Sequence, residues 1–186
     1  MSPELLVMEL VEPSTEYKDS FIEAVREFQA DADDSSRNQW YRRLSIPELQ
    51  RGFEAFADTE KSHLRGENLS EEYVPYTEYW LVDDCEFIGR ASVFHRLEGR
   101  RKITGHIGFD IRPSKRGKGY GNEILRLALQ KAKDFGLKRV LLSHDVRNTA
   151  SRKIIEKNGG VFENQVSIDE KGSEGSVGLR YRIIIE

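Results

Sequence analysis

Between Arg116 and Gly121 the chain reads Arg-Gly-Lys-Gly-Tyr-Gly, three glycines at alternate positions among cations. If a helix follows such a loop, its free N–H groups and the positive end of its dipole favour a phosphate. Glycines at 117, 119 and 121 let the chain bend sharply and bring its backbone close to an anion. Two better-known phosphate motifs do not fit. A dinucleotide fingerprint requires a third glycine where Asn122 stands, and a P-loop requires Gly-Lys followed by Ser or Thr. The same six residues would also serve as a flexible turn with its lysines in water. No His, Cys and acidic residues stand at metal-ligand spacing, and no Ser/His/Asp arrangement is recognisable, so neither a metal nor a covalent intermediate is expected.

The surrounding elements decide what such a loop can be. From Thr15 to about Gln29 the spacing of Phe21, Ile22, Val25 and Phe28 predicts an amphipathic helix capped by Ser14 or Thr15. A polar break follows at Asp31 to Ser36. A second helix, from Ile46-Pro47 to about Lys61, carries Leu49, Phe53, Phe56 and Ala57 on one face. His63 to Tyr76 reads as a loop. Tyr79–Val82 and Phe87–His95 then read as a hairpin turning at Asp83-Asp84, with a bulge at Gly89. Ile103–Ile111 is a strand stopped by Pro113, and a helix runs from Asn122 to Phe135, ended by Gly136. Val140–Leu142 is an interior strand, Asn148 opens a short helix closed by Asn158-Gly159-Gly160, and Val177–Ile185 is a last strand or hairpin. The order gives a mixed α/β sheet in one domain, with a helical part over 1–77, a core over 78–162 and C-terminal strands over 163–186.

Two ordered motifs make this pattern specific. Gly108-Phe-Asp-Ile-Arg-Pro-Ser-Lys-Arg-Gly-Lys-Gly-Tyr-Gly121 and Asn148-Thr-Ala-Ser-Arg-Lys-Ile-Ile-Glu-Lys-Asn-Gly159, with a helix and a strand between them, resemble the GCN5-related N-acetyltransferase (GNAT) superfamily. The resemblance spans roughly Glu78 to Phe162. It implies a mostly antiparallel sheet with central splayed parallel strands and flanking helices, and acetyl-CoA as co-substrate. Arg116, Gly119 and Gly121 match the family's pyrophosphate loop. By the same resemblance, Asp110, Ile111 and Arg112 offer backbone groups to the pantetheine arm, which lies along them like an added strand. The amides of Gly117, Lys118, Gly119, Tyr120 and Gly121, with Asn122, hold the pyrophosphate, while Arg112, Lys115, Arg116 and Lys118 supply charge. Asn148 corresponds to the family's pantetheine-contacting asparagine, its other use being a helix N-cap, and Ser151 is a further candidate.

The implied reaction is direct attack of an amine on the acetyl thioester in a ternary complex. An ammonium with an ordinary pKa of ~10.4 must first lose a proton. The Ile111 amide is placed to polarise the carbonyl. Asp110, His106, His144, His95 and Glu78 are the candidates for the base, histidine having a suitable ordinary pKa. Many family members carry a tyrosine as thiolate acid where this chain has Ile155, and Gly160 replaces the usual Phe. The missing tyrosine keeps open a catalytically idle acyl-CoA-binding or sensor domain.

Composition bounds the rest. The 186 residues, 38% hydrophobic and 33% charged, suit one domain and exclude a bilayer protein. A single cysteine and an acidic start fit a cytoplasmic protein. The net charge of −3 conceals an acidic half, residues 1–90 with 9 Lys+Arg against 21 Asp+Glu, and a basic remainder. Such asymmetry points to two ligands of opposite sign or to two faces that meet. The basic half suits CoA, and the acidic half, including Glu71 and Glu72, suits a cationic small-molecule or peptide amine. Tyr73, Tyr76, Tyr79 and Trp80 read as core and cleft wall or as a substrate surface. The basic stretch Arg100, Arg101, Lys102, Arg112, Lys115, Arg116 and Lys118 would be needed by a nucleic-acid binder, which the pI of 5.9 disfavours. No nucleic-acid or membrane partner is expected; the oligomeric state is left open by the sequence, and the family resemblance suggests a homodimer through the C-terminal strands.

Overall fold

The computed structural model describes residues 8–32, 36–67, 69, 74–167 and 177–185. Two antiparallel sheets carry the fold. The first has the order β1 (Glu9–Val11), β2 (Tyr76–Asp83), β3 (Glu86–Phe94), β4 (Ile107–Ile111). The second has the order β5 (Arg139–Asp145), β7 (Val177–Ile184), β6 (Val161–Ser167). This divides the single mixed sheet read from the sequence, and every ladder among the described residues is antiparallel.

Side-chain alternation gives the first sheet two different faces. Tyr79, Leu81, Ala91, Val93 and Ile107 pack with Ile124, Leu125, Ala128 and Ala132 of α5 (Tyr120–Asp134) in one core. Trp80, Val82 and Phe87 lie on the other face. They are covered by α1 (Lys18–Ala30), α2 (Ser36–Arg42) and α3 (Ile46–Ser62). Phe21 stacks on Trp80 with ring centroids 4.6 Å apart, and Phe28 stacks on Tyr41 at 3.7 Å. Burying each such ring contributes about 2 kcal/mol.

Several sequence expectations change here. The polar break at Asp31 to Ser36 ends in α2, whose Trp40 and Tyr41 anchor it to the core. The first 77 residues are not purely helical, because β1 pairs with β2. Ile103 and Thr104 belong to a short helix, α4 (Arg101–Thr104), rather than to the following strand. The hairpin bulge falls where expected: Leu81 faces Gly89 and Val82 faces Phe87, which leaves Ile88 as the extra residue.

The two sheets meet at a single junction, where Gly105 bridges Leu142 and the His106 N–H donates to the Leu141 carbonyl at 2.7 Å. From there β4 runs on to Ile111 and β5 to Asp145 with no ladder between them. Gly105 sits at φ +91°, and a Cβ there would lie 2.2 Å from the Leu141 carbonyl oxygen. Both the backbone angle and the approach exclude a side chain. Gly105→Ala is therefore expected to lower stability by on the order of 3 kcal/mol, seen as a reduced urea midpoint with an unchanged slope.

Candidate active site

Beyond the junction β4 is the edge of its sheet and β5 the edge of the other. The Arg112 N–H donates to the Ile88 carbonyl, and Phe94 N–H donates to the His106 carbonyl. Alternation along the strand then turns the backbone groups of Gly108 and Asp110 to β3 and those of Phe109 and Ile111 to the open edge. The Ile111 N–H, expected to polarise a carbonyl, faces the cleft. Its own carbonyl accepts from Arg116 Nε at 3.1 Å.

This edge runs directly into the glycine loop. Gly117 and Gly119 have φ of +75° and +94°, with open space where a Cβ would stand. No loop bond engages the N–H groups of Gly117, Lys118 or Gly119. Tyr120 and Gly121 lie in the first turn of α5, where N–H groups have no carbonyl four residues back. Gly121 serves packing as well, since a Cβ would meet Ile154 Cδ1 at 2.5 Å where α5 crosses α6 (Thr149–Lys157). The Asn122 Oδ1 is buried without a hydrogen-bond partner.

The loop's cations are mostly engaged. Arg112, expected to face a phosphate, is buried and pairs with Glu23, Glu27 and Glu86. Lys115 pairs with Glu86, and Arg116 pairs with Asp31 at 2.6 Å. The acidic and basic halves are thus, in this region, two faces that meet. Lys118 stays exposed. Tyr120 donates its hydroxyl to Asp83 at 2.7 Å, tying the loop to the β2–β3 hairpin. Asn148 caps α6, its Oδ1 accepting from the Ser151 N–H at 2.9 Å, and Ser151 is buried beside it.

The base candidates separate. His106 Nδ1 accepts from the Leu141 N–H at 3.0 Å, so its ring braces the junction and does not join Asp110. His144 is buried against Tyr181, with Nδ1 2.8 Å from the Asp145 carbonyl and Nε2 unpartnered. His95 bonds to Thr77 and lies on Phe135. Ile155, at the family's tyrosine position, is in the core, and a Cβ on Gly160 would lie 2.8 Å from its carbonyl oxygen. Of the aromatic cluster, Tyr79 and Trp80 are core residues, while Tyr73 lies outside the described residues, as do Glu71 and Glu72.

Asp110 belongs to a buried charged row that the sequence did not reveal. Its carboxylate accepts from the Tyr41 hydroxyl at 2.6 Å and from Arg90 Nε at 2.9 Å. The Arg90 guanidinium lies 3.7 Å over the Trp40 ring and 3.6 Å from Glu78 Oε1. Ser92 donates to Glu78 Oε2 at 2.6 Å. Nearby, Glu60 lies 3.9 Å from His63 Nδ1, which bonds to the Tyr76 hydroxyl at 2.8 Å. Burial raises Glu78 to about 8, opposed by Arg90, and burial also raises Glu60. Burial, reinforced by Arg90, lowers His63. The available signal was the spacing of Glu78, Arg90 and Ser92, polar residues at alternate positions in apolar strands. It reads as a solvated face until α1–α3 are known to cover it. Among the described residues no group of three or more His, Cys, Asp or Glu is placed to hold a metal, and no described helix is long and apolar enough to cross a membrane.

Two sheets splay from one junction, with an open strand edge leading into a glycine loop at a helix N-terminus. The family model for the acetyltransferase (GNAT) domain matches residues 15–161, and the chain belongs to that family of N-acetyltransferases. A GNAT-family acetyltransferase of Bordetella pertussis is similar in fold, with a TM-score of 0.61 at 17% identity over 98% of this chain and 97% of that one. The RimL ribosomal L7/L12 alpha-N-protein acetyltransferase in complex with coenzyme A gives 0.66 at 19% identity, over 96% of this chain and 93% of that one. The microcin C7 self-immunity acetyltransferase MccE, solved with acetyl-CoA and AMP, gives 0.68 at 17% identity, over 95% and 91%. No curated protein matches in sequence.

The raised Glu78 has a consequence for stability. Its carboxyl holds a proton in the folded state that an ordinary carboxyl near 4.5 has already released. Folding therefore gains from Glu78 below pH ~4.5 and loses that gain as pH rises toward about 8. Urea titrations between pH 5 and 8 are expected to show wild-type stability declining with pH, and Glu78→Gln flattening that decline.

Proposed function

We propose that the protein transfers an acetyl group from acetyl-CoA to a primary amine by direct attack within a ternary complex. The observation that carries this reading is the unbroken course from the open β4 edge, through Phe109 and Ile111, into the unengaged N–H groups of Gly117 to Gly121. A pantetheine arm carries amides that can add to such an edge, and a pyrophosphate suits the loop. The residues fit the group: Phe109 and Ile111 turn their backbone groups to the open edge, and the N–H groups of Gly117, Lys118 and Gly119 have no loop bond, with open space beside Gly117 and Gly119. Lys118 contributes charge, while Asn148 and Ser151 stand at the start of α6 to meet the arm.

When bound, the cofactor supplies an activated acyl carbonyl. The Ile111 N–H at the cleft stabilises the negative charge that develops on that carbonyl oxygen. Arg116 holds this amide in place by bonding the same residue's carbonyl. With Ile155 buried in the core, no side chain at that position protonates the departing thiolate, which takes its proton from the attacking nitrogen or from water. The buried Ile155 also favours the second reading, an acyl-CoA-binding domain without turnover. Cytoplasmic action is part of the proposal, in keeping with the single free, exposed Cys85.

Calorimetric titration of acetyl-CoA tests the reading. Wild type is expected to bind in the micromolar range, Lys118→Glu about tenfold more weakly, and Gly119→Trp not at all, with folding checked by circular dichroism. A folded wild type that does not bind acetyl-CoA overturns the proposal. Binding without CoA release across a broad amine panel supports the sensor reading.

A further inference from the structure

Helix α5 begins without a cap. Its N-cap residue is Gly119, at φ +94°, which has no side chain to bond the first turn. Helix ends without such a bond fray, and a Ser, Thr, Asp or Asn in that place ordinarily holds the turn by accepting from an N–H two or three residues on. A cap of that kind would occupy an N–H that a bound phosphate needs. In this chain the start of α5 is held from the side instead.

The hold is the β2–β3 hairpin. Asp83 and Glu86 stand opposite each other across its turn. The two residues between them, Asp84 and Cys85, take left-handed φ of +47° and +61°, as a tight hairpin turn requires. Glu86 grips the stretch leading into the glycine loop, accepting from Arg112 Nη1 at 3.1 Å and pairing with Lys115. Asp83 grips the far end, its Oδ2 accepting from the Tyr120 hydroxyl at 2.7 Å. Tyr120 is the first residue of α5, and it packs against the larger core. The bond to Asp83, helped by burial, raises the phenol, so the hydroxyl stays a donor. Asp83 Oδ1 is buried without a hydrogen-bond partner. A carboxylate so poorly served is a weak device for stability alone.

Resting on the acetyltransferase reading, we propose that Tyr120 and Asp83 are a positioning pair for the cofactor's pyrophosphate: their bond keeps the first turn of α5 wound while leaving the N–H groups of Gly117 to Gly121 free. The pair meets neither the acyl group nor the pantetheine arm. It lowers the ordering cost that the loop and first turn would otherwise incur when the diphosphate arrives. Its contribution is therefore confined to ligands that carry a diphosphate.

Tyr120→Phe removes one oxygen atom and keeps the ring, and Asp83→Ala removes the acceptor. Acetyl-CoA binding is measured by calorimetry, and binding of S-acetylpantetheine, which lacks the diphosphate, by NMR titration. Each variant is expected to weaken acetyl-CoA about tenfold, as loss of one hydrogen bond to a charged group would, and to leave S-acetylpantetheine within about twofold of wild type. The double variant is expected to bind acetyl-CoA no more weakly than either single one, because the two residues act as a unit. Asp83→Asn, whose amide oxygen still accepts, is expected to stay within about threefold of wild type. In the cofactor-free protein the Asn122 and Glu123 amides bond the Gly119 carbonyl. Their hydrogen exchange is expected to quicken about tenfold in Tyr120→Phe, while that of Ala128, further along α5, is unchanged. Acetyl-CoA affinity of Tyr120→Phe within about twofold of wild type, an equal loss for S-acetylpantetheine, additive losses in the double variant, or unchanged exchange at Asn122 and Glu123 overturns this inference and leaves the cofactor reading standing. Failure of folded wild type to bind acetyl-CoA overturns the cofactor reading itself.

Discussion

The fold depends on the two sheets touching at one place. At Gly105 the backbone comes so close to Leu141 that no side chain fits, and His106 spends both its N–H and its ring nitrogen on the same partner. Because the contact is confined to this point, β4 and β5 separate beyond it, and two strand edges that would otherwise be satisfied by each other are left unpaired. Unpaired edges are normally a hazard. Here the hazard is limited by facing them toward each other inside a cleft. The glycine loop inherits its position from the same arrangement, since it starts five residues after β4 ends.

The second organising feature is the burial of charge under α1–α3. Isolated buried carboxyls are costly, and the cost is contained by the Arg90 guanidinium, the Tyr41 and Ser92 hydroxyls and proton uptake. Stability alone does not call for so many carboxyls around one cation, and well-packed apolar residues would do at least as well.

Much of this was legible in the sequence where chemistry is local. The helices α1, α3, α5 and α6 follow from apolar spacing and caps, and the hairpin bulge follows from Gly89. The loop was readable because glycines and cations in that order, ahead of an amphipathic helix, have few uses. The division into two sheets was not readable, because it rests on a non-local approach between Gly105 and Leu141 that no spacing encodes. Nor were the partners of Arg112 and Asp110: which carboxylates from α1 reach a cation 85 to 89 residues later is decided by packing. The short helix α2 was hidden because its signal is two aromatics after a polar run, and these become informative only once Phe28 and Arg90 are seen beside them.

The tethering of the loop's cations bears on selectivity at a distance. A stretch with Arg112, Lys115, Arg116 and Lys118 would, if all four were free, draw in any polyanion, from nucleic acid to inorganic polyphosphate. Glu23, Glu27, Glu86 and Asp31 instead neutralise three of them within the fold. What remains is a small array of directed N–H donors with little long-range field. In the proposed role, such a loop would discriminate by the shape of the anion it meets rather than by how much charge that anion carries.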